Sequence, residues 1–82
     1  MSSKPGPDRE ATDERILKAI RDAYAPAVGT SDIAEELDVS RQAVDRHLRN
    51  LAEEGDVNTS KIGQVRVWWL SDEGRKRLAE MN

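Results

Sequence analysis

Apolar residues recur along this chain in two rhythms, and the rhythm changes at Gly55. Before that glycine the spacing is three and four, the period of helices packed by one face. Ile16, Leu17, Ile20, Ala23 and Tyr24 share one stripe of a first helix, which opens at Thr12 or Asp13 and is ended by Pro26. Residues 26–29 read as a short connector. Ile33, Ala34 and Leu37 mark a second helix, with Thr30 or Ser31 as its N-cap and Asp32, Glu35 and Glu36 bringing negative charge to its first turns. Asp38 tolerates the left-handed backbone that a sharp turn requires, and Val39 fills the corner after it. Ser40 caps a third helix from Arg41 to about Glu54, whose inward stripe is Val44, Leu48 and Leu51 and whose stop is Gly55.

Beyond Gly55 the period is two. Val57–Lys61 and Val65–Leu70 read as strands, joined by Gly63-Gln64 in a type II′ hairpin turn. A two-stranded ribbon is not stable alone, so it must pack on the helices. Alternation sends Trp68 and Leu70 toward them and leaves Trp69 and Val67 on the outer face. Ser71 caps a last helix with Asp72 and Glu73 at its start and Arg75, Lys76 and Arg77 after them. Leu78 and Met81 turn inward there, and Gly74 on the same side permits close backbone approach. Residues 1–11 (MSSKPGPDREA) lack periodicity and read as a disordered arm, leaving 12–82 as one domain. Lys4 and Arg9 in that arm read as solvated charges rather than phosphate contacts.

Composition narrows the function. The chain has no cysteine, so neither a disulfide framework nor a thiolate metal site is available. His47 cannot build a metal cluster alone; beside the Val44–Leu51 stripe it reads as a half-buried structural residue. No nucleophile–base pair, metal constellation or phosphate-cradling glycine loop is present, so we expect no enzyme and no cofactor. No apolar run approaches the ~18 residues of a membrane span and no signal peptide is evident, which points to a cytoplasmic protein without a membrane partner. At 82 residues the core is modest, a second subunit would add stability, and no small-molecule effector is evident. Charge sits awkwardly with a polyanionic partner: 13 basic residues face 16 acidic ones, net −3. Arginine over lysine, dense acids and few large apolar residues resemble proteins of salt-loving archaea, where acidity answers to the solvent. An ordinary acidic protein is the plainer alternative.

The stretch Thr30–Leu51 closely resembles the helix-turn-helix of DNA-binding regulators, with small Ala34 where the helices cross, Val39 after the turn, and Val44 and Leu48 facing inward. It departs from that pattern at Asp38, where glycine is frequent. The order helix-helix-helix-strand-strand-helix, mainly α with a small β-hairpin, is that of a winged helix-turn-helix. Val65–Leu78 resembles the wing and terminal helix of MarR-, ArsR- and GntR-like regulators, an aromatic-rich strand leading through Leu-Ser into a helix with an early glycine. Size and texture are similar to the short repressors of haloarchaea and their viruses. The resemblance spans Asp13 to Met81.

It implies double-stranded DNA as partner, with helix 41–54 in the major groove and wing 57–70 on the backbone. The implied contacts on the reading helix are Ser40, Arg41, Gln42, Asp45, Arg46 and Arg49. Gln42 suits adenine, Arg46 guanine O6/N7 and Asp45 cytosine N4, while Arg41, nearer the core edge, suits phosphate. Thr30 and Ser31 offer donors at a helix N-terminus, and Lys61, Gln64 and Arg66 surround the wing tip. The competing reading of the arginines is surface pairing, through Arg41–Asp45, Asp45–Arg49 and Arg49–Glu53 at i, i+4. Trp69 beside Val67 suggests a second interface, for which we expect a homodimer formed through helix 1, this strand face or the terminal helix. Cover by the arm or helix 1 is the alternative. A dimer would read a palindrome, as a small repressor does. The rival function is a winged-helix protein–protein interaction module in a transcription or chromatin assembly, which the net negative charge and Asp45 favour.

Overall fold

A computed structural model describes residues 12–23 and 25–81. Its elements are α1 (Asp13–Asp22), β1 (Val28–Gly29), α2 (Thr30–Leu37), α3 (Arg41–Glu54), β2 (Val57–Ile62), β3 (Val65–Leu70) and α4 (Asp72–Met81). The expected arm, with Lys4 and Arg9, and Tyr24 of the first stripe lie outside the described residues.

The apolar stripes converge on one core. Ile16, Leu17 and Ile20 of α1 meet Ile33, Ala34 and Leu37 of α2 and Val44, Leu48 and Leu51 of α3, and the sheet closes over them with Val28, Val57, Trp68 and Leu70. Leu78 joins from α4, and Val39 and Met81 pack at the margin. Trp68 is 1% exposed, so alternation assigns the inward tryptophan correctly. Its neighbour Trp69 is half-buried rather than open. It lines a hollow with Ile20 of α1, Ala23 and Pro26 just after it, and Leu78 and Ala79 of α4, with Arg21 and Arg75 in the same lining.

The sheet has a strand more than the sequence suggests. The supposed connector contains β1, and the order is β1-β3-β2, all antiparallel, with Val28 opposite Trp68 and Gly29 opposite Val67. Strand β2 also runs to Ile62, because Ile62 pairs with Val65 across the turn. Gly63 has φ 62 and Gln64 does not share the positive φ, as a type II′ turn requires. β1 leads directly into α2, so one three-stranded sheet joins the hairpin to the paired helices.

The helix ends follow their local chemistry, with one exception. Thr12 caps α1 through Arg15 N–H at 3.2 Å, Ser40 caps α3 through Ala43 N–H at 3.0 Å, and Ser71 Oγ accepts from Gly74 N–H at 3.0 Å. The cap of α2 is Gly29, not Thr30 or Ser31. Its N–H donates to Asp32 Oδ2 at 3.3 Å, while the Thr30 hydroxyl accepts from Trp68 Nε1 at 2.8 Å. Asp38 takes the left-handed conformation at φ 58, as expected at the α2–α3 turn. Gly74 touches the α3–β2 corner so closely that a Cβ there would lie 1.9 Å from the Asp56 carbonyl oxygen.

Candidate nucleic-acid interface

Arg41, Gln42, Asp45 and Arg49 fall on one side of α3 because i, i+1, i+4 and i+8 return to the same helical face. The stripe Val44–Leu48–Leu51 is buried on an adjoining side, roughly 100° round the helix, and fixes which face looks out. The Asp38–Ser40 turn then places the N-terminus of α2 beside the start of α3. Thr30, Ser31, Arg41, Gln42, Asp45, Arg49, Gln64, Val65 and Arg66 line one open depression of about 750 Å³, with Gly29 and Asp32. Three separated segments thus bring eight of the expected contact residues to one surface. Ser40, Arg46 and Lys61 are exposed but do not line it.

Arg41, Gln42, Arg46 and Arg49 are all exposed, and Asp45 is half-buried. Arg41 is exposed at the first turn of α3 and lies beside Ala34 and Val39 at the margin of the core. Of the three expected i, i+4 pairs, the structure forms Asp45–Arg49. Thr30 is half-buried and its oxygen accepts from the indole, which leaves its O–H to donate elsewhere. On the wing, Arg66 donates to Thr59 Oγ1 at 3.2 Å, and Thr59 in turn donates to the Val67 carbonyl at 2.8 Å. Lys61 lies directly opposite Arg66 in the ladder.

The acidic residues that make the chain net negative sit largely elsewhere. Glu35, Glu36 and Asp38 are exposed along α2. Another set is consumed internally around Arg77, which the sequence alone does not distinguish from Arg75 and Lys76. Arg77 bonds to buried Asp56, to Glu54 at 3.1 Å and to Asp13 at 3.2 Å. The hydrogen bond to Asp56, followed by that carboxylate's charge and the contribution of Asp13, holds Arg77 above the ordinary guanidinium range against the opposing effect of burial. His47 Nδ1 lies 3.1 Å from Asp13 Oδ1 and is half-buried, the structural role its position suggests. Arg15 adds a bond to the Leu37 carbonyl at 3.1 Å, joining α1 to the last turn of α2. Helix α3 is therefore braced from behind by α1 and α4.

Among the described residues no group of three or more His, Cys, Asp or Glu side chains is arranged to hold a metal ion, and no helix is long and apolar enough to cross a membrane.

Comparison with known proteins agrees with this architecture. Residues 9–55 match the family model of the winged helix-turn-helix DNA-binding domain. Among solved structures, a mutant form of Lactococcus lactis ZitR superposes with TM-score 0.73 at 25% identity, over 84% of this chain and 47% of that one. A MarR family transcriptional regulator from Silicibacter pomeroyi gives 0.72 at 27%, over 82% and 44%. The Zα domain of Carassius auratus PKZ, solved in complex with Z-DNA, gives 0.64 at 27%, over 72% of this chain and 90% of that one. The chain thus spans about half the length of the regulators it resembles. No curated protein matched the sequence.

Proposed function

The chain belongs to the winged helix-turn-helix DNA-binding family, whose structural neighbours include MarR-family transcriptional regulators, and from that we propose a sequence-specific transcriptional regulator that reads duplex DNA with α3 and holds its backbone with the wing. The observation that carries this reading is the single depression that gathers Thr30, Ser31, Arg41, Gln42, Arg49, Gln64 and Arg66 from three parts of the chain. In it Gln42 and the fork of Arg49 serve base edges, with Arg46 beyond its rim. Arg41, Ser31 and Ser40 serve phosphate from the helix N-termini, and Lys61, Gln64 and Arg66 serve it from the wing.

A homodimer acting as a repressor completes the proposal. One recognition helix reads too few base pairs to find a site in a genome, and two copies related by a twofold axis read a palindrome. The Trp69 hollow at the junction of α1, β3 and α4 is the surface we assign to that contact. The acidic composition suits a concentrated-salt cytoplasm, where screening shortens to about 3 Å at 1 M and direct contacts carry more of the affinity than phosphate attraction.

Selection from a random duplex library at low and at molar salt tests the reading. A palindrome with half-sites about one helical turn apart is the expected result. A single half-site would retain DNA reading and remove the dimer. Because the chain spans nearly the whole Zα domain, an alternating dC-dG duplex held left-handed belongs in the same assay. Preference for it over every selected duplex would overturn base reading in the major groove. No enrichment at either salt would favour docking on another protein, to which the mixed charge of Asp45 among arginines also lends itself.

A further inference from the structure

Trp68 is the largest fully buried side chain of the fold, 1% exposed, on a strand paired with Val28 on one side and Thr59 on the other. An indole N–H buried that deeply needs an acceptor, and it finds Thr30 Oγ1 at 2.8 Å. Thr30 is the first residue of α2. No helical turn precedes it to take its hydroxyl proton, as happens to threonines farther inside a helix. Among the described residues that proton has no acceptor. Thr30 nevertheless lines the open depression with Arg41, Gln42 and Arg49. A buried ring and its surface partner thus leave one donor unmatched on the face where DNA is expected.

We propose that Trp68 is a positioning residue for DNA binding: its indole holds the Thr30 hydroxyl so that the O–H donates to a backbone phosphate oxygen. This rests on the DNA-binding reading and adds to it a buried residue that never touches the duplex. A threonine hydroxyl free in water is donor and acceptor at once, and its lone pairs repel an anion. Here the indole takes a lone pair on the buried side, and its own position is fixed by strands on both flanks. Turning Thr30 to another rotamer would strand the indole N–H, which the penalty for an unsatisfied buried donor opposes. The proton is what Thr30 has left to offer. Donation from the indole also polarises the O–H and strengthens its bond to an anionic oxygen. The donors therefore act in series, Nε1–H to Oγ1 and O–H to phosphate, from the middle of β3 to the surface.

A positioning role has signatures that a merely structural one lacks. The experiment titrates the full chain and its Thr30→Val, Thr30→Ser, Trp68→Phe and Thr30→Val/Trp68→Phe variants with the top-ranked duplex from the library selection. Each is measured at a temperature where circular dichroism shows it folded. Thr30→Val should bind roughly tenfold more weakly, the scale of one hydrogen bond to a charged group. Thr30→Ser should recover most of that loss. Trp68→Phe should weaken binding severalfold in the wild-type background and add nothing in the Thr30→Val background, because it acts only through the hydroxyl. A second readout needs no substitution in the core: in the ¹⁵N-labelled wild-type chain the Trp68 indole N–H resonance should move downfield on saturation with the duplex. An equal effect of Trp68→Phe in both backgrounds, or an indole resonance that the duplex leaves in place, would overturn the positioning role while leaving the DNA reading intact. Wild-type affinity in Thr30→Val would overturn it as well, by removing the phosphate contact. Failure of the wild-type chain to bind any duplex would remove the DNA reading and this role together.

Discussion

Arg49 Nε donates to Asp45 Oδ2 at 2.8 Å, one helical turn away, while the Arg49 side chain remains 64% exposed. The bond holds the guanidinium by one edge and leaves its two Nη groups as a fork suited to guanine O6 and N7. We expect Asp45 to act through Arg49, as an alternative to accepting from cytosine. Asp45→Ala should lose about 1–3 kcal/mol of discrimination at the base pair beneath Arg49. Affinity for unrelated duplexes should rise, because a carboxylate leaves a face that approaches phosphates. Competition with single-base variants of the selected site measures both; if neither changes, Asp45–Arg49 is a plain surface pair.

Arg46 and Arg41 should separate by kind. Arg46→Ala is expected to cost roughly 1–3 kcal/mol and relax preference at one position. Arg41→Ala should weaken all sequences alike and reduce the salt slope by about 0.9. Equal loss on every duplex for Arg46→Ala would transfer Arg46 to the phosphate set.

Thr30→Val keeps the shape of the side chain and strands the Trp68 indole N–H, which otherwise donates to Thr30 Oγ1. An unsatisfied buried donor costs about 1–3 kcal/mol. Urea denaturation followed by tryptophan emission reads the loss of stability, and an unchanged midpoint would mean that the indole finds another acceptor.

Gly74→Ala inverts the usual rule for glycine in a helix. Alanine ordinarily gains about 0.5–1 kcal/mol there, but at this position its Cβ would meet the Asp56 carbonyl, so α4 must shift outward. We expect a net loss of about 1–3 kcal/mol on thermal denaturation, the range for overpacking. A stabilised Gly74→Ala protein would show that α4 has room to move off the α3–β2 corner at no cost.

Arg77→Met removes the cation shared by Asp56, Glu54 and Asp13 and leaves Asp56 buried without its partner. A loss of about 1–3 kcal/mol is expected, below the full cost of breaking a buried pair because the Arg77 side chain is 36% exposed and partly screened. Adding Asp56→Asn to Arg77→Met should recover part of that loss, since an amide is less costly to bury than an unpaired carboxylate. If the double variant is no more stable than Arg77→Met, the burden lies in packing and not in charge.

Most of the fold was legible because its signals are local. The stripes of α1, α2 and α3, the left-handed Asp38, the Ser40 cap and the period change at Gly55 each follow from a few neighbouring residues. What escaped depends on partners distant in sequence. Val28-Gly29 is too short to show alternation and becomes a strand only beside Trp68 and Val67. Thr30 leaves the cap position to Gly29 because its hydroxyl meets an indole 38 residues away. Arg77 looked like any surface cation, since Asp13 and Asp56 reach it from 64 and 21 residues earlier. The candidate site divides in the same way. The α3 contacts are set by helical angle alone, whereas the pairing of Lys61 with Arg66 and the openness of Ile62 and Val65 depend on a register that only the folded hairpin fixes.

That register imposes a parity on the wing. Lys61 and Arg66 occupy one face of the ribbon and Ile62 and Val65 the other, while the base of the ribbon is anchored by Val28 opposite Trp68. Lengthening each arm by two residues would carry the tip farther out with both faces preserved. Lengthening each by one would exchange them, turning cations where aliphatic side chains had been. Hairpins of this type should therefore vary in reach by even steps, and an odd step should invert what the tip presents while leaving the helices undisturbed.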